Sequence, residues 1–418
     1  MTGRTSLRQD CDYIVREAIK SVQPDAAVRR ALAGRRFGSG RLLVVAVGKA
    51  AWSMARAALD VLDGRVDGGI VLTKYGHAQG AVPPLLIREA GHPVPDGNGF
   101  EATAETLRLT EGLRAEDTVL FLLSGGGSAL FESPLIDPAE LQSITNQLLA
   151  SGADIVEMNT VRKRLSAVKG GRFAAHCLPA RVFSVVLSDV VGDTPDMIAS
   201  GPACPDGSSC ADALAVAEKY GLRLSKRARD CLHTETPKTL SNTETVITGS
   251  VRGLCAAAAS VCRTLGYEPV LLTDCLQCEA REAGRFLGAI ARSHAAGGRD
   301  LAFIAGGETV VHVTGDGLGG RNQELALAAS REIRGLSNAA VFSFGSDGTD
   351  GPTDAAGGFA DGETDRALGR LGISAEDALR RNDAFRALGR VGGLIVTGPT
   401  GTNVNDVSLV LIRGRQGG

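Results

Sequence analysis

Six Gly-rich loops follow apolar, strand-like runs, and each carries a charged or hydroxyl residue: Val47-Gly48-Lys49, Ser124-Gly125-Gly126-Gly127-Ser128, Ser188-Asp189-Val190-Val191-Gly192-Asp193, Gly319-Gly320-Arg321-Asn322-Gln323-Glu324, Ser346-Asp347-Gly348-Thr349-Asp350-Gly351 and Gly398-Pro399-Thr400-Gly401-Thr402-Asn403. Glycine lets a backbone approach a ligand closely and turn its N–H groups toward an anion, and a helix starting there adds the positive end of its dipole. That is the chemistry of phosphate and carboxylate binding. Lysine usage points the same way. Only eight of the 45 basic residues are Lys, and Lys49, Lys74, Lys163 and Lys169 lie beside glycines or in one dense basic segment, where a compact ammonium suits better than an arginine fork.

Each motif also has a plainer reading. Gly48-Lys49 is not a phosphate-binding P-loop, because Ala50 follows the Lys and Val44 to Val47 precede it. Lys49 at a strand end can meet the β/γ-phosphates as a point charge; the alternative is a snorkelling helix-start lysine. Ser124, Gly125, Gly126, Gly127 and Ser128 can form an anion nest or simply a tight turn. In Met158–Gly171, Asn159, Arg162 or Lys163, Ser166 and Lys169 recur at helical spacing, which gives one face several donors and is also how a solvated basic face looks. Asp189, Asp193, Asp347, Asp350 and Asp354 follow strand-like runs, where a carboxylate can hold Mg²⁺, accept a hydroxyl proton or cap a turn. Arg321 sits between a glycine and a helix start, and its fork suits a carboxylate or phosphate. His92, in the turn Gly91-His92-Pro93-Val94-Pro95-Asp96, can contact substrate or be held by loop hydrogen bonds. The stretch Gly315-Asp316-Gly317-Leu318-Gly319-Gly320 is a poor dinucleotide fingerprint, with its third glycine one residue early and no acidic partner downstream. Cys275 and Cys278 form an isolated C-x-x-C without a second pair or a His cluster and read as incidental.

These loops need strands to position them. Arg41–Val47, Thr118–Leu123, Arg181–Leu187, Glu244–Ile247 and Asp300–Ala305 are β-branched or apolar runs that end at the loops and alternate with helical patterns, which predicts an α/β fold with parallel sheets covered on both faces. Ligands in such sheets bind outside the carboxyl ends of the strands. A chain of 418 residues exceeds the usual size of one core, and the polar stretch His233–Asn242 suggests a boundary near residue 240, give or take about ten. The expected domains are 1–235 and 240–418. The second should open with its own strand–helix units and carry a Val310–Thr314 strand, an Asn322–Ile333 helix and an Ala339–Phe344 strand.

A net charge of −2 leaves no basic footprint for nucleic acid or an anionic membrane. The N-terminus leads into a charged helix with no apolar core, and no stretch approaches the ~18 apolar residues of a membrane span. A soluble, cytoplasmic protein is expected, as a monomer or homodimer.

Taken in order, the motifs resemble the class II glycerate kinases, the family whose C-terminal half carries the MOFRL motif. Val47-Gly48-Lys49-Ala50-Ala51, Glu89–Asp96, Leu123–Ala129, Asn159–Lys163, Lys169–Arg172, Ser188–Asp193, Ser200-Gly201-Pro202, Gly319–Glu324, Gly348–Gly351 and Gly401–Asp406 carry the resemblance through nearly the whole chain. It implies a Rossmann-like N-terminal domain, a C-terminal α/β domain containing the MOFRL region and an active site in the cleft between them. It further implies transfer of the γ-phosphoryl of ATP to the C2 hydroxyl of D-glycerate with Mg²⁺, with Lys49 and Arg321 at catalytic positions. On that basis Lys49 and Arg321 neutralise the phosphoryl and the glycerate carboxylate, Asp189 or Asp193 takes the hydroxyl proton, and Asp347 or Asp350 helps hold Mg²⁺. Ser124–Ser128, Asn159, Lys163, Lys169, Asn322 and Asn403 line the ligands. Arg164, Gly97 and Cys204 depart from the family pattern, and of these Arg164 alone lies in a ligand-binding segment. Two other classes compete: a nicotinamide-dependent hydroxypyruvate reductase, which needs the missing dinucleotide fingerprint, and a non-catalytic sensor of a small acid.

Overall fold

The computed structural model describes residues 5–192 and 194–414; Asp193, one of the expected proton acceptors, lies outside the described residues. The chain forms two compact units, one of residues 24–248 and one of residues 1–23 with 249–418.

The first unit is built on a six-stranded sheet of β1 (Leu42–Val47), β2 (Gly68–Lys74), β3 (Leu85–Ala90), β4 (Thr118–Leu123), β5 (Arg181–Leu187) and β6 (Thr243–Gly249), in the order β3-β2-β1-β4-β5-β6. The pairings of β1 with β2 and β4, of β2 with β3 and of β4 with β5 are all parallel. Every residue of β1 and β4 is buried, because helices cover both faces of the sheet. Leu43, Val45 and Val47 enter one core with Phe121, Phe131 and Phe173, whereas Leu42, Val44 and Ala46 enter another with Met54 and Leu120. Burying one such side chain from water is worth about 1.5–3 kcal/mol, so a polar substitution in β1 would cost the unit much of its margin.

The second unit holds β7 (Glu268–Leu276), β8 (Leu301–Gly307), β9 (Ala339–Gly345), β10 (Gly357–Asp361), β11 (Leu394–Ile395) and β12 (Asp406–Ile412), ordered β11-β10-β9-β12-β8-β7. Only β7 and β8 pair in parallel; β8–β12, β12–β9, β9–β10 and β10–β11 are antiparallel. The expectation of parallel sheets therefore fails here, and the sheet is mixed. The antiparallel insertion of β12 has a chemical consequence. It pairs Asp406, at its start, with Gly307 and Gly345, at the ends of β8 and β9, so three strand ends meet at one edge.

Three further expectations need correcting. Val310–Thr314 is irregular apart from one bridge between Val310 and Glu279. β6, expected to open the C-terminal domain, is an edge strand of the first sheet. The Leu7–Ser21 helix, assigned by a single boundary to the N-terminal domain, belongs to the second unit. Its apolar face of Cys11, Ile14, Val15 and Ala18 packs with Val251, Leu254 and Ala258, and buried Asp10 accepts hydrogen bonds from Tyr267 Oη at 2.6 Å and Arg413 Nη2 at 2.7 Å. Among the described residues no helix is long and apolar enough to cross a membrane.

Candidate active site

In the first unit the connections leaving β1 and β4 diverge to opposite sides of the sheet, the place where an open parallel sheet leaves a ligand crevice at its carboxyl edge. Two of the predicted loops lie there and are locked together. Ser124 N–H donates to Val47 O at 2.9 Å, Lys49 N–H to Gly125 O at 2.9 Å, and Ala50 N–H to Ser124 Oγ at 3.1 Å. Gly48 has φ of 120°, and a Cβ on it would lie 2.3 Å from Ser124 Oγ, so glycine is required for this close approach.

Four groups converge on the Ser124–Ser128 loop. A Cβ on Gly126 would lie 3.3 Å from Lys49 Cγ and 3.0 Å from His92 Cδ2, so both side chains cover that glycine. A Cβ on Gly125 would lie 2.5 Å from Asp189 Oδ2. Ser128 Oγ is 3.0 Å from Ser200 Oγ, which donates to Asn159 Oδ1 at 2.8 Å. Ala199 and Ser200 both hold left-handed backbone, with φ of 50° and 62°, a strain of about 1–3 kcal/mol each that tends to gather at functional sites. The structure thus brings together Lys49, Asp189, Asn159 and residues 124–128 from the sequence prediction. It adds Ser200, which had been read only as a motif residue, and His92, for which substrate contact and a loop hydrogen bond had both been open.

The basic segment behaves differently from the expectation. Lys163 is 1% exposed and pairs with Asp196 at 3.2 Å and Asp206 at 3.1 Å. Lys169 is fully buried against Glu132 at 2.8 Å and donates to Ser128 O at 2.8 Å and Phe131 O at 3.0 Å. Burial pulls its ammonium down to about 8, with Glu132 opposing. Both lysines, expected to bind ligand, are engaged by the protein itself, and Lys169 anchors the end of the Gly-rich loop. Arg164, the departure flagged in the sequence, is buried on Ser208, Thr160 O and Glu235 and likewise serves the ion cluster around Asp206.

In the second unit Arg321 opens the Arg321–Glu332 helix and sits at the edge where β8, β9 and β12 meet. Its Nε and Nη2 donate to the two oxygens of Asp406, the second at 3.0 Å, and Nη1 reaches Glu308 Oε1 at 3.0 Å. Burial works against the guanidinium charge, but Asp406 and Glu308 outweigh it and hold Arg321 more firmly protonated than usual. Asp406 had been quoted as part of a motif without a role; its burial against Arg321, 85 residues away in the chain, appears only in the fold.

Asp350 was expected to help hold Mg²⁺. Instead its Oδ1 accepts from Asn322 N–H at 3.1 Å and its Oδ2 from Gln323 N–H at 2.8 Å, so it caps the helix that begins at Arg321. Asn322 is 1% exposed and accepts from Ser343 Oγ, which makes it a core residue rather than a ligand contact. Asn403 accepts from Asn405 N–H at 3.4 Å within its own loop, and Asp347 accepts from Thr349 N–H at 3.0 Å. Among the described residues no three His, Cys, Asp or Glu side chains are grouped to hold a metal ion. Asp350 is thus engaged with the start of the Arg321 helix, and Asp347 with its own turn.

Burial pushes Asp350 up to about 7, against the pull of the Gln323 and Asn322 N–H groups. The folded state therefore keeps a proton that the unfolded chain, with a carboxyl near 3.8, releases. This contribution to stability is present below 3.8 and is lost as pH rises through about 7. Replacing Asp350→Asn should shrink the difference in melting temperature between about pH 5 and about pH 8. An unchanged difference would show that Asp350 does not titrate in this window.

Fold and site define an α/β protein that sets a lysine over a Gly-rich loop at the switch point of a parallel sheet. A family model described as a domain of unknown function, DUF4147, matches residues 10–233, and the MOFRL family model matches residues 301–406. The D-glycerate 2-kinase of Thermotoga maritima is 50% identical over 97% of this chain and 99% of its own length. The glycerate 2-kinase of Pyrococcus horikoshii is 39% identical over 97% of both. An Agrobacterium vitis relative, provisionally named a hydroxypyruvate reductase, is 40% identical over 97% of this chain and 95% of its own. The crystal structure of the Thermotoga maritima glycerate kinase superimposes with a TM-score of 0.94, covering 97% of this chain and 99% of that one at 50% identity. A Pyrococcus horikoshii structure gives 0.91 at 39% identity, with 99% and 100% covered. The chain belongs to the DUF4147–MOFRL glycerate kinase family.

Proposed function

We infer that the protein is an ATP-dependent D-glycerate 2-kinase, which transfers the γ-phosphoryl group of ATP to the C2 hydroxyl of D-glycerate and releases 2-phosphoglycerate and ADP. The observation that carries this reading is Lys49, whose side-chain stem lies over Gly126 at the switch point of the parallel sheet, in a chain with full-length similarity to proteins named as glycerate 2-kinases. Phosphoryl transfer asks a protein mainly for positioning and charge neutralisation. In this proposal Lys49 neutralises the transferring phosphoryl, and the loop from Ser124 to Ser128 holds an anion. Asp189, lying on Gly125, orients the acceptor hydroxyl. Arg321 meets the substrate's carboxylate or phosphoryl charge, displacing the half-exposed Glu308 and keeping the buried Asp406 as its anchor. Mg²⁺, when bound, would neutralise phosphate oxygens; it commonly arrives on the nucleotide and keeps several waters, so the lack of an acidic cage is compatible with its use. A cytoplasmic setting supplies the ATP.

The reductase reading is less well supported. A Cβ on Gly315 or on Gly317 would lie 2.4 Å from Arg381 O, so these glycines serve a crossing of two chain segments rather than a dinucleotide turn. The experiment is to follow ADP release with D-glycerate, and nicotinamide absorbance with hydroxypyruvate, on the same preparation. ADP release that depends on D-glycerate, with no absorbance change, is the expected result. Nicotinamide oxidation without ADP release would overturn the kinase assignment.

A further inference from the structure

His92 touches the same glycine as Lys49, yet neither sequence motif nor family name gives it a task. A Cβ on Gly126 would lie 3.1 Å from His92 Nε2 and 3.3 Å from Lys49 Cγ, so the imidazole and the stem of Lys49 flank one point of the Gly-rich loop. The ring is held there by a rigid turn. Asp96 accepts hydrogen bonds from Tyr75 Oη at 2.6 Å and from Gly99 N–H at 3.0 Å, and a Cβ on Gly91 would lie 2.9 Å from Asp96 Oδ2.

Two other histidines of this unit, His77 and His176, are occupied. His77 Nδ1 lies 3.1 Å from Lys49 O and His176 Nε2 lies 3.0 Å from Leu107 O. Among the described residues no hydrogen-bond partner meets the nitrogens of the half-buried His92 ring. Burial first, then the charges of Lys49 and Lys74 and the neighbouring His77, lower its pKa to about 4. The imidazole is therefore neutral near pH 7, with a ring nitrogen able to accept. Anionic phosphates arriving beside Lys49 would offset the lysine charge and make that nitrogen a stronger acceptor. Asp189, one of the two carboxylates expected to take this proton, is already partnered and lies over the neighbouring Gly125, and the other, Asp193, lies outside the described residues.

We propose that His92 takes the proton of the acceptor hydroxyl. As the C2 oxygen bonds to the γ-phosphorus, the bond from that phosphorus to the β,γ-bridging oxygen breaks and its electron pair leaves with ADP. The hydroxyl proton passes to a ring nitrogen of His92 and from there to solvent. This assignment rests on the kinase reading and deepens it.

The test compares wild type, His92→Ala and His92→Gln, each confirmed folded by thermal melting, in the ADP-release assay with and without added imidazole. His92→Ala should lose about 10²–10³-fold in kcat with the KM for ATP little changed. Imidazole should restore part of that loss, and methylimidazoles of higher pKa should restore more. His92→Gln, which fills the space but takes no proton, should be as slow and resist rescue. Near-normal kcat in either variant, or a folded His92→Ala that no imidazole rescues, would overturn the role of His92 while wild-type turnover leaves the kinase reading standing. A wild type that releases no ADP with D-glycerate would instead remove the kinase reading and this assignment with it.

Discussion

Lys49→Ala is expected to lower kcat/KM by about 10³-fold while moving the melting temperature by less than about 4 °C. The two halves of this prediction come from different atoms of one residue. The backbone of Lys49 is structural: its N–H donates to Gly125 O and its carbonyl oxygen meets His77 Nδ1. Alanine keeps both contacts. Only the side chain extends over Gly126 toward the crevice, and among the described residues no carboxylate pairs with its ammonium. Its loss therefore leaves no buried partner stranded, whereas charge building on a transferring phosphoryl would go unmet. Lys49→Arg should recover only part of the rate, because a planar fork cannot replace a compact ammonium on a stem packed against glycine and imidazole. A folded Lys49→Ala with kcat/KM within a few-fold of wild type would remove this residue from the mechanism.

Asp206→Ala is expected to cost about 3–5 kcal/mol of stability, a large part of the margin of a typical domain. Asp206 is 2% exposed and lies between Lys163 Nζ at 3.1 Å and Arg164 Nη1 at 3.6 Å, with Thr236 Oγ1 donating at 2.7 Å and Ser208 N–H at 3.1 Å. Burial alone would raise its pKa, but these donors and the Lys163 charge leave it lowered, so the carboxylate stays ionised. Truncation removes the buried carboxylate that Lys163 and Arg164 share and leaves them only the more exposed Asp196 and Glu235. Lys163→Met, which removes a charge and leaves Asp206 paired with Arg164, should cost less. Denaturant unfolding of both variants measures the contrast. Equal and small losses would mean that water reaches the cluster.

The first sheet could be read from the chain because β1 and β4 are short, mostly apolar runs leading into Gly-rich loops, a pattern that suits a strand buried on both faces. The loops that follow them were found for the same reason. The second sheet was harder. Strand composition does not record direction, and β12 runs antiparallel to both of its neighbours, a choice made by how the chain returns and not by the residues Asp406–Ile412 themselves.

Within the site, helical spacing put Asn159, Lys163 and Lys169 on one face, but the helix Ile155–Arg164 ends before Lys169, and spacing cannot say which cation meets a carboxylate. Asp206 and Glu132 lie 43 and 37 residues from Lys163 and Lys169, and only the fold joins them. Asp350 was misread through the ambiguity of its position. An Asp in a Gly-rich turn after a strand suits a metal, and here it caps a helix that begins 29 residues earlier in the chain. For His92, in a turn of glycine and prolines, the sequence left substrate contact and a loop hydrogen bond both open until Gly126 is seen beneath its ring.

The central claim is the transfer of a phosphoryl group to C2 of D-glycerate, and ³¹P NMR of the product after incubation with Mg²⁺-ATP and D-glycerate tests it most directly. The account predicts the resonance of 2-phosphoglycerate appearing as ATP is converted to ADP. A 3-phosphoglycerate resonance, or no phosphoglycerate at all from folded protein, would contradict it.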